Sequence, residues 1–411
     1  MVSLLWLYSK MKNLYFIFLS ILFFSCNNRE KYNSEWHHDF LNSFINEGYP
    51  SIIDIKDDSI TITHPFFKHN DKYSVKIKSG KMTFNDISIK SRINNDTLYL
   101  NDAIKYIRNF NDENLSVSNN IITEINLPNL SGLKSPLPNK FKYYNHYVYY
   151  GKRLGSNEFV LQLNDQYAKF DDLIPFINVE RSKIRHETIP FFSTILYMDK
   201  KSKTQDLDNI IMRLKLVNQL KIKFVNNIDL KFDESHGLYY EDAFLKKILF
   251  PEINQDYYHQ SFGKDNPPPF PPPPVPDFSN DNRKIAQFLL IKDKIYYNDT
   301  EIKLSKLSEL LNELVNEDYI VFTLYDLDSH YGKFLELIIT VDYVYYDLRN
   351  KLSLSKYGKP LNDLNRDELA YIKSSIPMRH TWDFSIPHYN SIVKKEGTFY
   401  GLEVDTIDLS L

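Results

Sequence analysis

The sequence predicts an α+β protein, in which an amino-terminal β-meander domain is followed by two tandem β-α-β-α domains. Three observations predict this class: short alternating segments fill the first hundred residues, two proline-rich stretches divide the remainder, and the segments after these stretches repeat one order of elements. With 411 residues, the chain exceeds the size at which single cores stop growing, so two or three domains are expected.

Composition limits the kinds of function that the chain can have. A net charge of -3 and a pI near 6.4 provide no general attraction for phosphate backbones, so we expect no nucleic-acid partner. The chain has 1 cysteine, which excludes an intramolecular disulfide framework and a cysteine-based metal site. The histidines His37, His38, His64 and His69 are more typical of solvated or structural positions than of a metal cluster, so we expect no metal and no cofactor.

The amino terminus has the order of a secretory signal. Lys12 follows Met11, the apolar run 14–24 is broken only by Ser20, and Ser25-Cys26 precedes polar residues. As a helix this run is too short to cross a hydrocarbon core of about 30 Å. We therefore predict a signal peptide over residues 1–26, with Met11 as the start.

The end of the apolar run resembles a bacterial lipobox, with Cys26 as the lipidated first residue of the mature chain. Phe23 and Phe24 depart from the usual lipobox, where smaller or aliphatic residues stand. The alternatives are an ordinary cleaved signal with an accidental cysteine, or an uncleaved anchor. Diacylation of Cys26 would provide stable two-chain attachment. We therefore expect a lipoprotein of a Gram-negative envelope, facing the periplasm or the cell surface.

Residues 27–126 are predicted to form the β-rich domain. Its alternating segments, separated by polar turn residues, lie at 52–55, 60–63, 73–77, 87–89 and 98–100. Before them, apolar residues at helical spacing predict a short amphipathic helix containing Trp36, Phe40, Leu41, Phe44 and Ile45.

Two proline-rich segments divide the rest of the chain. Residues 127–156 are predicted as a proline- and tyrosine-rich connector, and residues 267–283 as a linker, because proline runs form stiff extended spacers. The second segment could instead be a ligand for a groove that recognises extended proline. Alternating tyrosines within 143–150 favour a half-buried strand over a platform for sugars or peptides.

The domains 157–266 and 284–411 show an internal repeat. In the first copy, a strand at 159–163 precedes a helix that opens at 169–173 and a strand at 192–198 ending at Asp199. In the second, a strand at 288–291 precedes a helix that opens at 303–307 and a strand at 319–325 ending at Asp326. An amphipathic helix follows each strand end. The first copy adds a strand at 220–224, which the second lacks; the alternative is two unrelated small α+β domains.

The second copy resembles the periplasmic domain of the ExbD/TolR biopolymer-transport family. The resemblance lies in Asp326-Leu-Asp-Ser-His-Tyr331-Gly332 between a strand and a helix. The segments 346–351, 356–360 and 376–379 are similar to the long tail of one ExbD branch. The resemblance covers about residues 284–380, with a fainter echo over 157–226, where Asp199 matches Asp326.

The chain departs from this family at its apolar segment. Family members carry a transmembrane aspartate that takes part in proton-driven motion, whereas residues 14–24 contain no acid. The resemblance therefore implies no proton transduction. It implies domains that dimerise, here as an intramolecular pseudo-dimer, and that contact an envelope protein, including one of an ExbB/ExbD/TonB-type transport system, or peptidoglycan. Such binding could use a strand edge, which we expect at or beside 192–198 or 319–325.

Patterns typical of an enzyme are missing from the sequence. We find no P-loop, dinucleotide, nucleophile-elbow or zinc-protease pattern. His186-Glu187 lacks the second histidine of a zinc-protease helix, and Asp326-x-Asp328 lacks the glycine and distal glutamate of an EF-hand loop. We therefore expect a non-catalytic protein. The alternative is a degenerate hydrolase or glycan-binding lipoprotein whose site is assembled from scattered residues.

Overall fold

The computed structural model describes residues 32–38, 52–63, 70–84, 87–101, 104–108, 123–128, 130, 145–163, 166–233, 237–250, 284–399 and 402–409. These residues form helices and several sheets, which confirms the predicted α+β class in its coarse form. The chain divides into two compact units. The first comprises the described residues within Met1–Ile121 and Ile228–Glu241, and the second those within Ile122–Asn227 and Asp242–Leu411. The predicted signal peptide with Cys26 and the proline-rich linker 267–283 lie outside the described residues.

Within the first unit, the described strands of residues 32–108 form one antiparallel sheet in the order β4-β3-β2-β1-β9-β8-β7-β6-β5. The strands are β1 Ser34–His38, β2 Ile52–Lys56, β3 Ser59–Thr63, β4 Asn70–Ser74, β5 Lys76–Lys78, β6 Lys81–Phe84, β7 Ile87–Asn94, β8 Thr97–Leu100 and β9 Ile104–Ile107. Only Val75 separates β4 from β5, although these are the two outer strands. The sheet therefore curves until its two ends meet.

Alternation along these strands builds the core of the first unit. Successive side chains of a strand point to opposite faces, and the buried set follows that period. Its buried members include Trp36, Ile53, Ile55, Ile60, Ile62, Val75, Met82, Ile89, Leu98, Leu100 and Tyr106.

The helix predicted around Trp36 is wrong at this residue. Trp36 lies in β1 and pairs with Ile53 of β2. Its Nε1 donates to the Tyr32 carbonyl at 3.0 Å, and the guanidinium of Arg108 lies 4.6 Å above its ring. The pairing with β2 and β9 outweighs the local helical spacing, whose other members at 40–45 lie outside the described residues.

The second unit begins with a sheet in the order β13-β12-β11-β14-β15-β16, with β10 against β11. Its strands are β10 Thr123–Glu124, β11 Asn145–Arg153, β12 Phe159–Leu163, β13 Gln166–Ala168, β14 Ser193–Met198, β15 Lys221–Asp233 and β16 Gly237–Ile248. Of β15 and β16, only residues 221–227 and 242–248 belong to the second unit. Its helices are α1 Leu173–Ser182 and α2 Thr204–Leu216, with 3-10 turns at Phe170–Asp172 and His186–Phe191.

A further sheet of the second unit has the order β19-β18-β17-β20-β21. Its strands are β17 Ile285–Ile291, β18 Lys294–Tyr297, β19 Thr300–Ile302, β20 Ile320–Tyr325 and β21 His380–Ser385. The helices are α3 Leu304–Asn316, α4 Tyr331–Tyr357, α5 Arg366–Ser375 and α6 Ile386–Glu396, with a 3-10 turn at Leu361–Asp363 and a short hairpin of β22 Thr398–Phe399 and β23 Leu402–Glu403.

The two sheets have one topology over five strands. The order β13-β12-β11-β14-β15 corresponds strand by strand to β19-β18-β17-β20-β21. In each sheet, the central strand (β11 or β17) runs antiparallel to its hairpin partner (β12 or β18). It runs parallel to the strand that follows the crossover (β14 or β20). We refer to these parts as the first repeat (145–250) and the second repeat (284–409).

This structural correspondence differs in two places from the internal repeat that we predicted from the sequence. The counterpart of β17 is β11, which occupies 145–153 within the predicted connector, and not the strand at 159–163. The second repeat also has its fifth strand, β21, which the sequence analysis did not find. In the first repeat, β15 follows α2 after a short connection. In the second repeat, the 27 residues of α4 and then α5 come before β21, so this strand lies much later in the chain.

The two repeats share one hydrophobic core instead of forming separate tandem domains. Buried residues of both, including Leu196, Phe224, Val321, Phe334 and Trp382, belong to one cluster. The other face of the second sheet packs against α6 and the hairpin after it, through residues such as Phe322, Tyr389 and Phe399. Burial of both repeats in a common core explains why they form one compact unit.

The strands at 192–198 and 319–325, which we expected at or beside a sheet edge, are both interior strands, and of the two only β20 lies beside a terminal strand, β21. β14 lies between β11 and β15, and β20 lies between β17 and β21. Both have every residue buried, because helices cover the sheet where parallel crossovers return. Among the described strands, β13 and β19 end the two sheets on their hairpin side.

Candidate functional site

The motif residues singled out from the sequence meet at the junction between the two repeats. Asp199 follows the last residue of β14, and Asp326 follows the last residue of β20. Tyr331 and Gly332 open helix α4. Parallel crossovers place both strand ends on the same side of the second unit, where the two loops run past each other.

Each strand-end aspartate ties its own loop to a neighbouring segment through backbone amides. Asp199 and Asp326 are buried, and each carboxylate accepts two hydrogen bonds of 2.7 to 2.8 Å. The donors are the amides of Asn126 and Lys201 for Asp199, and of Lys292 and Ser329 for Asp326. Charge-assisted bonds to several amides rigidify a loop strongly, so these carboxylates act as loop anchors.

The loops then cross by main-chain hydrogen bonds that obey a two-fold relation. The Tyr331 amide donates to the Ser202 carbonyl at 2.9 Å, and the Thr204 amide donates to the Ser329 carbonyl at 2.8 Å. Since Thr204 opens α2 as Tyr331 opens α4, the two bonds are equivalent.

A second symmetric pair of bonds extends the crossing. The Gly332 amide donates to the Lys200 carbonyl at 3.0 Å, and the Gln205 amide donates to the Leu327 carbonyl at 3.1 Å. Lys203 and His330 lie at the centre of these four bonds as antiparallel bridge partners. The approximate two-fold axis that relates the two loops therefore passes between them.

Gly332 lies at a close approach to the backbone of the other loop. A Cβ at this position would lie 3.0 Å from both Cβ and the carbonyl oxygen of Lys200. The same carbonyl accepts the Gly332 amide, so it cannot retreat without weakening that bond. Its neighbour Tyr331 is fully buried, with its ring 6.3 Å from that of Phe224, and burial raises the pKa of its hydroxyl above the ordinary value.

Asp293 and His330 fasten the second loop from its other side; His330 stands within the motif quoted from the sequence, whereas nothing in the sequence pointed to Asp293. His330 Nδ1 lies 2.6 Å from Asp293 Oδ2, and the His330 amide donates to Asp293 Oδ1 at 2.7 Å. Burial raises the pKa of Asp293, but the hydrogen bonds from His330 and its charge outweigh it, and the net shift is downward. Lys203 completes the contact by donating to the Asp328 carbonyl.

Buried ionic groups between the repeats were also missed. Lys215 of α2 pairs with Asp383 of β21 at 3.0 Å, and Lys247 of β16 pairs with Asp342 of α4 at 2.5 Å. The available signal was Asp342, a single acid within the apolar run 337–345 of α4. A charge at such a position requires a partner.

Two titratable groups at this interface have shifted pKa values. Burial raises the pKa of Asp342, but Lys247 and His380 outweigh it and bring the pKa below its ordinary value. Burial, assisted by Lys247, lowers the pKa of His380 to about 4, so His380 is neutral at pH 7. Its Nε2 lies 3.0 Å from the hydroxyl of Thr323.

The arrangement holds the two repeats together. Within the described ranges, no group of three His, Cys, Asp or Glu side chains could hold a metal ion. A cavity of about 280 Å³ lies in the second repeat, where Arg379 is paired with Asp318. It is lined by Val315, Asn316, Asp318, Tyr319, Tyr345, Ser375, Ile376, Pro377 and Arg379.

The fold and the junction define a mixed α/β protein whose second unit contains two repeats of one topology. Comparisons of the chain with family models, with curated proteins and with solved structures found no match. Of the helices described here, none has the length and apolar character needed to cross a bilayer.

Proposed function

We propose that the protein is a non-catalytic lipoprotein of the Gram-negative cell envelope. Cys26 anchors it to a membrane, and two ExbD/TolR-like repeats, joined as an intramolecular pseudo-dimer, bind an envelope protein or peptidoglycan. A partner from an ExbB/ExbD/TonB-type transport system fits the resemblance of residues 284–380. The amino-terminal β-rich domain stands between the anchor and the repeats in the chain.

The observation that carries this proposal is the use of the motif residues within the junction. Asp199, Asp326, Tyr331 and Gly332 all serve the crossing of the two loops, through carboxylate–amide bonds, burial or close approach. The carboxylates of Asp199 and Asp326 are thus occupied in holding the loops through which the repeats pair. This supports binding through outer surfaces.

The outer strands β13 and β19 are the places where an extended partner segment would add. They are the corresponding terminal strands of the two repeats, and β19 has two exposed residues of three, Thr300 and Glu301. Strand addition draws affinity from main-chain hydrogen bonds and needs no catalytic motif. Short terminal strands limit uncontrolled edge pairing, so recognition there would depend on a matching partner.

Lipid attachment is tested by metabolic labelling with a palmitate analogue. We expect label in the native chain and none in the Cys26→Ser variant, since Cys26 is the single thiol of the chain. Equal labelling of the two proteins would contradict the lipoprotein part of the proposal.

Partner binding is tested by photo-crosslinking in cells, with Cys26 retained. A photoreactive residue at Thr300 or Glu301 of β19 is compared with one at Lys395 of α6, which is also exposed. We expect specific envelope adducts from β19 only. If β19 captures no more than Lys395, and the purified protein instead cleaves a wall or glycan substrate, the hydrolase alternative replaces the binding function.

A further inference from the structure

In the described part of the second unit, four buried charges cross the interface between the repeats, and their signs are divided by repeat. The first repeat contributes Lys215 on α2 and Lys247 on β16, whereas the second contributes Asp342 on α4 and Asp383 on β21. Each ion pair joins a helix of one repeat to a strand of the other.

Lys215 and Asp342 occupy equivalent positions. The helices α2 and α4 open at Thr204 and Tyr331, which make the equivalent crossing bonds of the junction. The same number of residues separates Lys215 from Thr204 and Asp342 from Tyr331. Equivalent helical positions therefore carry opposite charges in the two repeats.

Pairing of identical repeats would bury like charges. If the first repeat paired with another copy of itself, Lys215 would take the place of Asp342 and face Lys247. A pair of second repeats would likewise set Asp342 against Asp383. Breaking a buried ion pair is strongly unfavourable, because it leaves charge uncompensated in a low-dielectric site.

The remaining charge near Lys215 does not change this comparison. Asp208 lies on the same helix and accompanies Lys215 in every pairing. It also accepts a hydrogen bond of 3.3 Å from the Tyr325 hydroxyl of the second repeat, whose counterpart in the first repeat is Met198, so this bond likewise favours the unlike pair. Apolar burial attracts identical repeats as well as unlike ones, because it is not directional. The four charges, together with the bond from Tyr325 to Asp208, therefore distinguish the unlike pair from identical pairs.

We propose that the charges of Lys215, Lys247, Asp342 and Asp383 allow only unlike repeats to pair, and we call these four charges the pairing code. The first repeat takes the second repeat of its own chain as partner, and rejects another copy of itself. The code keeps the junction within one chain even when the anchored protein is concentrated on a membrane.

The bridge between Lys203 and His330 provides a direct measurement of the pairing. The crossing bonds flank Lys203 and His330 as they flank a non-hydrogen-bonded pair in an antiparallel sheet. The Cα atoms of such a pair lie about 4.5 Å apart, which is close enough for a disulfide. In a Cys26→Ser chain, Lys203→Cys alone forms a covalent dimer only if first repeats pair with each other. The variant Lys203→Cys/His330→Cys closes within one chain if unlike repeats pair.

The decisive variant exchanges the strand charges, Lys247→Asp/Asp383→Lys. Lys215 then faces a cation in the unlike pair and an acid in the identical pair, so the code is reversed without a change in net charge. We expect the covalent-dimer yield from Lys203→Cys to rise at least about tenfold, equivalent to about 1.4 kcal/mol, and intramolecular closure to fall.

Two controls keep the outcome interpretable. Adding Lys215→Asp/Asp342→Lys to the exchanged chain inverts all four signs, and should restore folding, intramolecular closure and the low dimer yield. The exchange Lys294→Glu/Glu301→Lys inverts a half-exposed pair within one repeat and should change neither readout.

Two results would overturn the proposal. One is an exchanged chain that still closes between positions 203 and 330 as readily as the native charges do. The other applies if the exchanged chain fails to fold. If the variant with all four signs inverted then folds no better than the exchanged chain, the four charges do not act as a set.

Discussion

Lys215 Nζ lies 3.0 Å from Asp383 Oδ2, and neither side chain has exposed surface. The ammonium also donates to the Asp383 carbonyl at 3.3 Å and lies 3.8 Å from the centre of the Phe384 ring. The Phe250 amide donates to the same Asp383 carboxylate at 2.9 Å. These contacts explain how β21, a terminal strand of its sheet, is covered by the first repeat.

Removing one partner of this pair should destabilise the second unit strongly. Lys215→Met leaves Asp383 buried without its cation, which costs about 3 to 5 kcal/mol of unfolding free energy. The double variant Lys215→Met/Asp383→Leu should recover most of that loss, because an apolar pair needs no charge compensation. Urea unfolding monitored by Trp382 fluorescence, in a background with Trp6 and Trp36 replaced by Phe, measures both. Equal stabilities for the native chain and Lys215→Met would contradict the prediction.

The Asp326 carboxylate should contribute measurably to the junction. Asp326→Ala leaves the amides of Lys292 and Ser329 without their acceptor, and we expect a loss of about 1 to 3 kcal/mol. Asp328→Ala, two residues further on and exposed, is the matched control and should change stability little. Thermal unfolding of the two variants under the same conditions provides the comparison. A control that loses as much as Asp326→Ala would show that the loop as a whole is sensitive.

Gly332→Ala should weaken the crossing of the loops, although alanine favours a helix by about 1 kcal/mol over glycine. The added Cβ would meet the Lys200 Cβ and carbonyl oxygen at 3.0 Å, and separation lengthens the bond from the Gly332 amide. We expect lower stability and slower closure of the disulfide between Lys203→Cys and His330→Cys. The neighbouring exposed substitution Lys333→Ala should affect neither. A more stable Gly332→Ala chain would mean that Lys200 yields readily.

His380 should make the second unit less stable in mild acid. The folded pKa is about 4 against an ordinary value of 6.5, so the unfolded chain binds the proton first. Stability is therefore complete above pH 6.5 and falls toward pH 4, by about 3 kcal/mol. The pKa of Asp342 is lowered, so its contribution is lost only at more acidic pH.

The measurement is the slope of unfolding free energy against pH between 7 and 4.5. His380→Gln should reduce the slope, whereas His186→Gln, at an exposed position, should leave it as it is. Burial also lowers the pKa of His146, to about 3, so a slope remains in the variant. An unchanged slope in His380→Gln would refute the assignment.

Part of this fold is determined locally and was readable in the sequence. Alternation at 52–55 and 60–63 coincides with β2 and β3, because a half-buried strand needs period two. Asp199 and Asp326 were found because each ends a buried strand, a position where a carboxylate can accept loop amides. The repetition of these strand ends was likewise visible without any structure.

Other features depend on residues that are distant in the chain, and only the tertiary structure decided them. Trp36 has helical spacing but lies in a strand, since pairing with Ile53 buries it. The partnership of Lys215 with Asp383 follows from the docking of two repeats, which no local period encodes. Periodicity in the sequence shows which face of a helix or strand is buried. Long-range packing decides which other elements cover that face, and in this protein it joins the two repeats in one unit.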